Sequence, residues 1–231
     1  NKIISVINQK GGVGKTTTVI NLAAGLSMKG KKILVIDLDP QGNATTGLGL
    51  SNTESSELTI YSVLNGNKKI SEVVKKTKFE NLDLITSNVD LSGLEVETAG
   101  DSRRAFMLKD ELTSYLNDSR PSYDYVLIDC PPSLSLLTIM ALVCSNSLVV
   151  PLQTEFFALE GLTQLMKTID RIKNNLNPKL TIKGILLTMY DKRNKLSSEV
   201  EKDAREYFNE KVYRTVVPRN VRRSEAPSHG V

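Results

Sequence analysis

The amino-acid sequence predicts an α/β protein: a doubly wound, mostly parallel sheet with helices on both faces. Three observations carry this. Short aliphatic runs such as Ile3-Ile4-Ser5-Val6-Ile7 and Tyr125-Val126-Leu127-Ile128 lack the alternation of a half-exposed strand and read as strands covered on both sides. Stretches with apolar residues at helical spacing separate these runs, and such alternation implies parallel βαβ units. The composition, 40% hydrophobic and 24% charged, is that of a globular chain and excludes collagenous, low-complexity and disordered classes.

In chain order, the strand at Ile3–Ile7 leads through a Gly-rich turn into a helix over Thr16–Lys29. Val19, Leu22, Ala23 and Leu26 fall at helical spacing there, and Gly30 suits the helix end. Lys32–Asp37 is a second buried strand. Leu82–Ile85, Tyr125–Asp129, Ser147–Leu152, Ile182–Met189 and Val212–Val217 read as further strands. Helical patterns lie near Thr59–Leu64, Arg103–Leu116, Leu134–Val143, Ala158–Lys173 and Ser198–Phe208. Asn43–Ser56, rich in Gly, Ser, Thr and Asn, reads as a mobile loop. With no internal repeat and no linker, residues 1–231 are expected to form one domain.

Charge is distributed unevenly. Residues 1–166 carry 15 basic and 18 acidic side chains, whereas residues 167–223 carry 15 basic and 7 acidic, a local balance of +8. Such a C-terminal third suits a polyanion-binding face, although basic residues also decorate any solvated helix. No apolar run approaches the ~18 residues of a membrane span, and the opening apolar run is too short for a secretory signal. Cys130 and Cys144 make no disulfide framework or zinc pattern, and read as buried free thiols. The expectation is a cytoplasmic protein. His229, the sole histidine, has no nucleophile pattern around it and reads as a loop residue.

Lys10-Gly11-Gly12-Val13-Gly14-Lys15-Thr16-Thr17 carries the most chemistry. Gly11, Gly12 and Gly14 let the backbone curl so that its N–H groups converge on phosphate oxygens, and the following helix N-terminus adds favourable partial charge. Lys15 can reach the β- and γ-phosphates and the Thr16 hydroxyl can bind Mg²⁺. A buried strand before the loop and an amphipathic helix after it supply the context this motif requires. Asp129 closes an apolar strand and reads as the Walker B carboxylate, bound to Mg²⁺ through water. Asp37 and Asp39 end the second strand on the same edge. Any one of these aspartates alone would read as a turn or cap residue; three together complete a site.

These residues resemble the ParA/MinD family of ATPases with a deviant Walker A loop. The family's DxDPQG switch motif stands in full at Asp37-Leu38-Asp39-Pro40-Gln41-Gly42, and Lys10 matches its signature lysine. Asp129-Cys130-Pro131-Pro132-Ser133-Leu134 and Val217-Pro218-Arg219-Asn220-Val221-Arg222 resemble the chromosome- and plasmid-partitioning branch, ParA/Soj, with Arg223 where that branch usually has Leu. The similarity runs from Lys2 to Gly230. It implies that Lys10 reaches across a nucleotide-sandwich homodimer to the partner subunit's ATP. It further implies that Asp39 orients the attacking water, that Asp37 holds a Mg²⁺-bound water, and that Pro218 and Asn220 flank the adenine. Arg193 and Arg222 match DNA-contacting arginines, with Lys192, Lys195, Arg219 and Arg223 adding nearby charge. The alternative is that these arginines pair with Glu225 or other surface acids.

The resemblance thus implies a slow, partner-stimulated Mg-ATPase that binds double-stranded DNA nonspecifically in its ATP state. It would segregate a chromosome or plasmid with a ParB-like activator, on the nucleoid and without stable membrane insertion. Family members usually continue through another strand and helix, so the chain is expected to lack that segment. The alternatives are a MinD-like membrane-associated positioning ATPase and a ParA-like ATPase whose cargo is a protein cluster. A synthetase or small-molecule kinase on a similar fold has no pocket signature here to support it.

Overall fold

The computed structural model describes residues 2–51, 56–118 and 122–219. The strands are β1 (Lys2–Val6), β2 (Ile33–Asp37), β3 (Val74–Lys76), β4 (Leu82–Ile85), β5 (Tyr125–Asp129), β6 (Ser147–Gln153) and β7 (Thr181–Thr188). Among the described residues they form one sheet in the order β3-β4-β2-β5-β1-β6-β7, parallel except for the edge strand β3. Central strands have no free backbone groups and no wet face, which is why their sequences are continuously aliphatic. The short antiparallel edge, Val74-Lys75-Lys76, ends the sheet with charge.

Successive residues of each strand sort to opposite faces. Ile4, Val6, Ile33, Val35 and Leu127 pack with Val19 and Ala23 of α1 (Lys15–Met28). Leu34, Ile36, Val126 and Ile128 pack on the other side with Leu112, Met140 and Leu165. Those three belong to α6 (Met107–Asp118), α7 (Leu136–Cys144) and α8 (Ala158–Asn175), which the shorter α3 (Ile60–Leu64), α4 (Ile70–Val73) and α5 (Leu94–Glu97) precede in the chain. Each fully buried Leu or Ile contributes roughly 1.5–3 kcal/mol. The last helix, α9 (Lys195–Phe208), begins one turn earlier than its periodicity predicts because Asn194 caps it, accepting from the Leu196 N–H at 2.9 Å. No helix among the described residues is long and apolar enough to cross a membrane.

Two expectations are corrected. Asn43–Ser56 is not all loop: α2 (Asn43–Gly47) follows Gly42, with Ala44, Thr45 and Leu48 buried. The apolar i, i+4 pair Ala44/Leu48 anchors this turn, a signal hidden by the polar residues around it. Val212–Val217 is not a strand but touches β7 at separate points: Tyr213 N–H donates to Ile185 O at 2.9 Å and Val217 N–H to Leu187 O at 2.8 Å. Between them the Arg205 guanidinium takes the Tyr213 carbonyl at 3.1 Å and the Arg214 carbonyl at 3.5 Å. That diverts the backbone from continuous pairing.

The topology positions the site. β1 lies between β5 and β6, so the chain leaves its carboxyl end at a place where the strand order reverses, and crevices form there. In register, Asp37 of β2 stands opposite Asp129 of β5, and Val6 of β1 opposite Asp129 from the other side.

Candidate active site

The loop after β1 is shaped by its glycines. Gly12 has φ 71° and Gly14 φ 92°, left-handed conformations that a side chain would strain. Gly14 caps α1, and its carbonyl accepts the first helical bond from the Thr18 N–H at 2.9 Å. The exposed N–H groups and dipole of this helix face a crevice of about 340 Å³, lined by Gly11, Gly12, Lys15, Thr16, Asp39 and Pro132 among others. Val13 is buried beneath it, and its carbonyl accepts the Thr188 hydroxyl from the end of β7 at 2.7 Å. The loop is therefore tied to a second strand end.

Lys15 is buried and its Nζ donates to the Lys10 carbonyl at 2.7 Å. Burial lowers its pKa, opposed by the Asp129 and Asp39 carboxylates. Thr16 Oγ1 donates to Asp129 Oδ2 at 2.7 Å, while Asp129 Oδ1, equally buried, has no partner. Burial raises the Asp129 pKa well above the carboxylate range, and the Asp37 charge adds to this. Asp37 is pushed up to about 6 by burial, although Thr45 and the Asp39 N–H bond its charged form. Thr45 supplies both its backbone N–H (2.8 Å) and its hydroxyl (2.7 Å) to Asp37 Oδ2, and Asp39 N–H reaches Oδ1 at 3.1 Å. Asp39 lines the crevice, with its pKa raised by burial. Three carboxylates crowd one dry strand edge, with an orphaned oxygen among them. That arrangement fits a divalent cation, which would ionise the carboxylates and occupy the unpaired acceptor.

Lys10, half-exposed at the mouth, is ion-paired with Glu155 from the turn after β6. Thr17 lines both the phosphate crevice and a second, larger cavity of about 460 Å³ walled by Leu22, Val149, Leu186, Tyr213, Val217 and Pro218. Gly14 and Met189 also belong to both. An apolar slot beside a phosphate loop suits a planar base.

The structure brings Lys192, Arg193, Lys195 and Arg219 to one exposed corner. The turn between β7 and α9 carries Lys192 and Arg193, Lys195 opens α9, and Arg219 joins them because its N–H donates to the Tyr190 carbonyl at 2.9 Å. Asn220, Arg222 and Arg223 lie outside the described residues, as do Glu225 and His229. Cys130 and Cys144 are free and buried. Three participants escaped the sequence reading: Thr45, Glu155 and Thr188. Thr45 sits in a polar stretch with no periodicity, and the other two act on residues far away in sequence.

The AAA domain family matches residues 1–182. The chain is 52% identical to the chromosome partitioning protein ParA of Caulobacter vibrioides, over 99% of this chain and 85% of that protein. It is 49% identical to the sporulation initiation inhibitor protein Soj of Bacillus subtilis, over 99% and 88% respectively. A cobyrinic acid a,c-diamide synthase from Mycobacterium smegmatis, solved with bound ATP analogue and magnesium, superposes with a TM-score of 0.87 at 36% identity, covering 95% of this chain and 85% of that one. A plasmid partition protein from Borrelia burgdorferi superposes with a TM-score of 0.79 at 26% identity, covering 99% and 96%.

Proposed function

The chain belongs to the ParA/Soj family of chromosome-partitioning ATPases, and from that premise we propose that it hydrolyses Mg-ATP to drive segregation of a chromosome or plasmid on nonspecific DNA. The observation that carries the nucleotide chemistry is the orphaned Asp129 Oδ1 beside the Thr16 hydroxyl, at the foot of the phosphate loop. The relatives' names support partitioning over the synthase that shares the fold, because identity to them is higher.

In this reading the N–H groups of Gly11 to Thr17 cradle the phosphates and Lys15 leaves the Lys10 carbonyl to bind phosphate oxygen. Thr16 and, through water, Asp129 would hold the metal, and Asp37 would hold a metal-bound water with the lone pairs that Thr45 and Asp39 leave free. Bound Mg²⁺ supplies neutralising charge on the β- and γ-phosphate oxygens. Asp39 holds the attacking water in line with the γ-phosphorus. Pro218 and Asn220 flank the base. Lys10 exchanges Glu155 for the partner subunit's nucleotide, closing a homodimer. The corner of Arg193, Lys192, Lys195 and Arg219, with Arg222 and Arg223, then meets DNA phosphates without reading sequence. A ParB-like protein stimulates hydrolysis, and the cycle runs in the cytoplasm on the nucleoid.

Co-sedimentation with random-sequence duplex, with ATP or ADP over a salt series, tests this. Binding that needs ATP and weakens steeply with salt is expected. Equal binding with either nucleotide would reduce the basic corner to a passive charge patch, and no binding would favour a membrane or protein cargo.

A further inference from the structure

Arg193 is held by its own turn. Its Nε donates to Asp191 Oδ1 and its Nη2 to Asp191 Oδ2, each at 3.1 Å, and its backbone N–H reaches Oδ1 at 3.0 Å. This occupies one complete edge of the guanidinium, the two-pronged geometry with which arginine grips a phosphate. The arginine side chain is 91% exposed, so burial does not force the pairing. The same carboxylate feels the charge of Arg219. Asp191 thus offsets cations on which DNA binding at this corner would depend.

The turn carrying Asp191 is also continuous with the nucleotide pockets. Met189 lines both of them and has φ 53°, a left-handed conformation unusual for a side chain of its size. Before it, the Thr188 hydroxyl bonds Val13 of the phosphate loop at 2.7 Å. After it, Tyr190 N–H donates to Val217 O at 3.1 Å, beside Pro218 in the pocket wall, and Asp191 N–H donates to Ser197 Oγ at 3.4 Å. A strained residue pinned on both sides is where a pocket occupant can shift the backbone. Whatever touches Met189 and Pro218 acts on the Asp191 turn from two directions.

We propose that Asp191 is the counter-charge that withholds Arg193 from DNA, and that nucleotide contacting Met189 and Pro218 moves the turn and releases Arg193 to a phosphate. The proposal rests on reading Arg193 as a DNA contact. An exposed ion pair is weak enough for a modest shift to open it.

The test measures binding of the full chain to a labelled random-sequence duplex over a salt series, without nucleotide and with a non-hydrolysable ATP analogue. Wild type, D191N, R193A and the D191N/R193A double variant are compared. Asn keeps an acceptor for the Arg193 N–H, so the turn can still form, and thermal melting verifies folding. Without nucleotide, D191N should bind about two- to fivefold tighter than wild type, with a log–log salt slope steeper by about one. With the analogue the two should converge, and the double variant should lose the gain. A D191N protein that binds no tighter without nucleotide, or whose gain survives R193A, overturns the proposal. If R193A instead binds like wild type with the analogue and keeps its slope, the assignment of Arg193 to DNA is what fails.

Discussion

At the scale of the residue, the site divides its three aspartates by what each carboxylate is already bonded to. Asp37 accepts three hydrogen bonds from Thr45 and the Asp39 N–H, Asp129 keeps one oxygen unpaired, and Asp39 looks into the crevice. Thr45 is the buttress, since its hydroxyl also accepts from the Ser87 N–H at 3.1 Å. Thr45→Val preserves shape but strips a donor from Asp37 and an acceptor from Ser87. It should cost about 1–3 kcal/mol in urea unfolding. Asp39→Ala takes an acceptor from the Gln41 N–H and a negative charge from beside Lys15, but leaves the Thr16–Asp129 hydrogen bond in place. Turnover should fall by about 10² or more while nucleotide affinity stays close to wild type, as fluorescent-nucleotide titration and single-turnover assays would show.

At the scale of the element, the contact between β7 and the segment after α9 packs closely beside the apolar cavity. A Cβ on Gly184 would lie 2.3 Å from the Tyr213 ring, so the ring covers this glycine directly. Gly184→Ala should destabilise by roughly 1–3 kcal/mol, with much of the loss recovered in a Gly184→Ala/Tyr213→Ala pair. Thermal melting of Gly184→Ala, Tyr213→Ala and the pair measures this. The same contact shows what the sequence could and could not disclose. Strands buried on both faces announce themselves as Ile33–Asp37 and Tyr125–Asp129 do, and a phosphate loop is a local motif. Val212–Val217 is rich in β-branched residues, but Tyr213 and Arg214 interrupt them and Arg205, from the preceding helix, bonds the carbonyls of both. Glu155 against Lys10 and Thr188 against Val13 are encounters across 145 and 175 residues that no local pattern encodes.

At the scale of the whole molecule, the crowded carboxylates couple stability to pH and metal. In the metal-free protein the Asp37 pKa is raised from 3.8 to about 6, and Asp39 and Asp129 are raised also. The unfolded chain releases these protons near pH 4 and the folded chain keeps them longer. The Asp37 contribution is therefore favourable at low pH and is lost as pH rises through about 6, and those of Asp39 and Asp129 are lost in the same direction as they ionise. Mg²⁺ with ADP needs the ionised forms, so the rise in Tm it produces over EDTA should be larger at pH 7.5 than at pH 5. Differential scanning calorimetry at the two pH values checks this, and an equal rise would place the metal elsewhere.

The position of β1 in the sheet carries a kinetic consequence. The phosphate loop follows β1, yet among the described residues β1 pairs with β5 and β6, beginning at Tyr125 and Ser147. A nascent chain emerging from the ribosome has no neighbour for β1 until more than half of these residues have been made. Closing such distant pairings is slow, because the loop entropy falls due before the contacts form. The residues of β1 are thus made well before they acquire their structure, and the ability to grip a nucleotide has to wait for β5 and β6. Until then an aliphatic strand waits unpaired, exposed to chaperones and to aggregation.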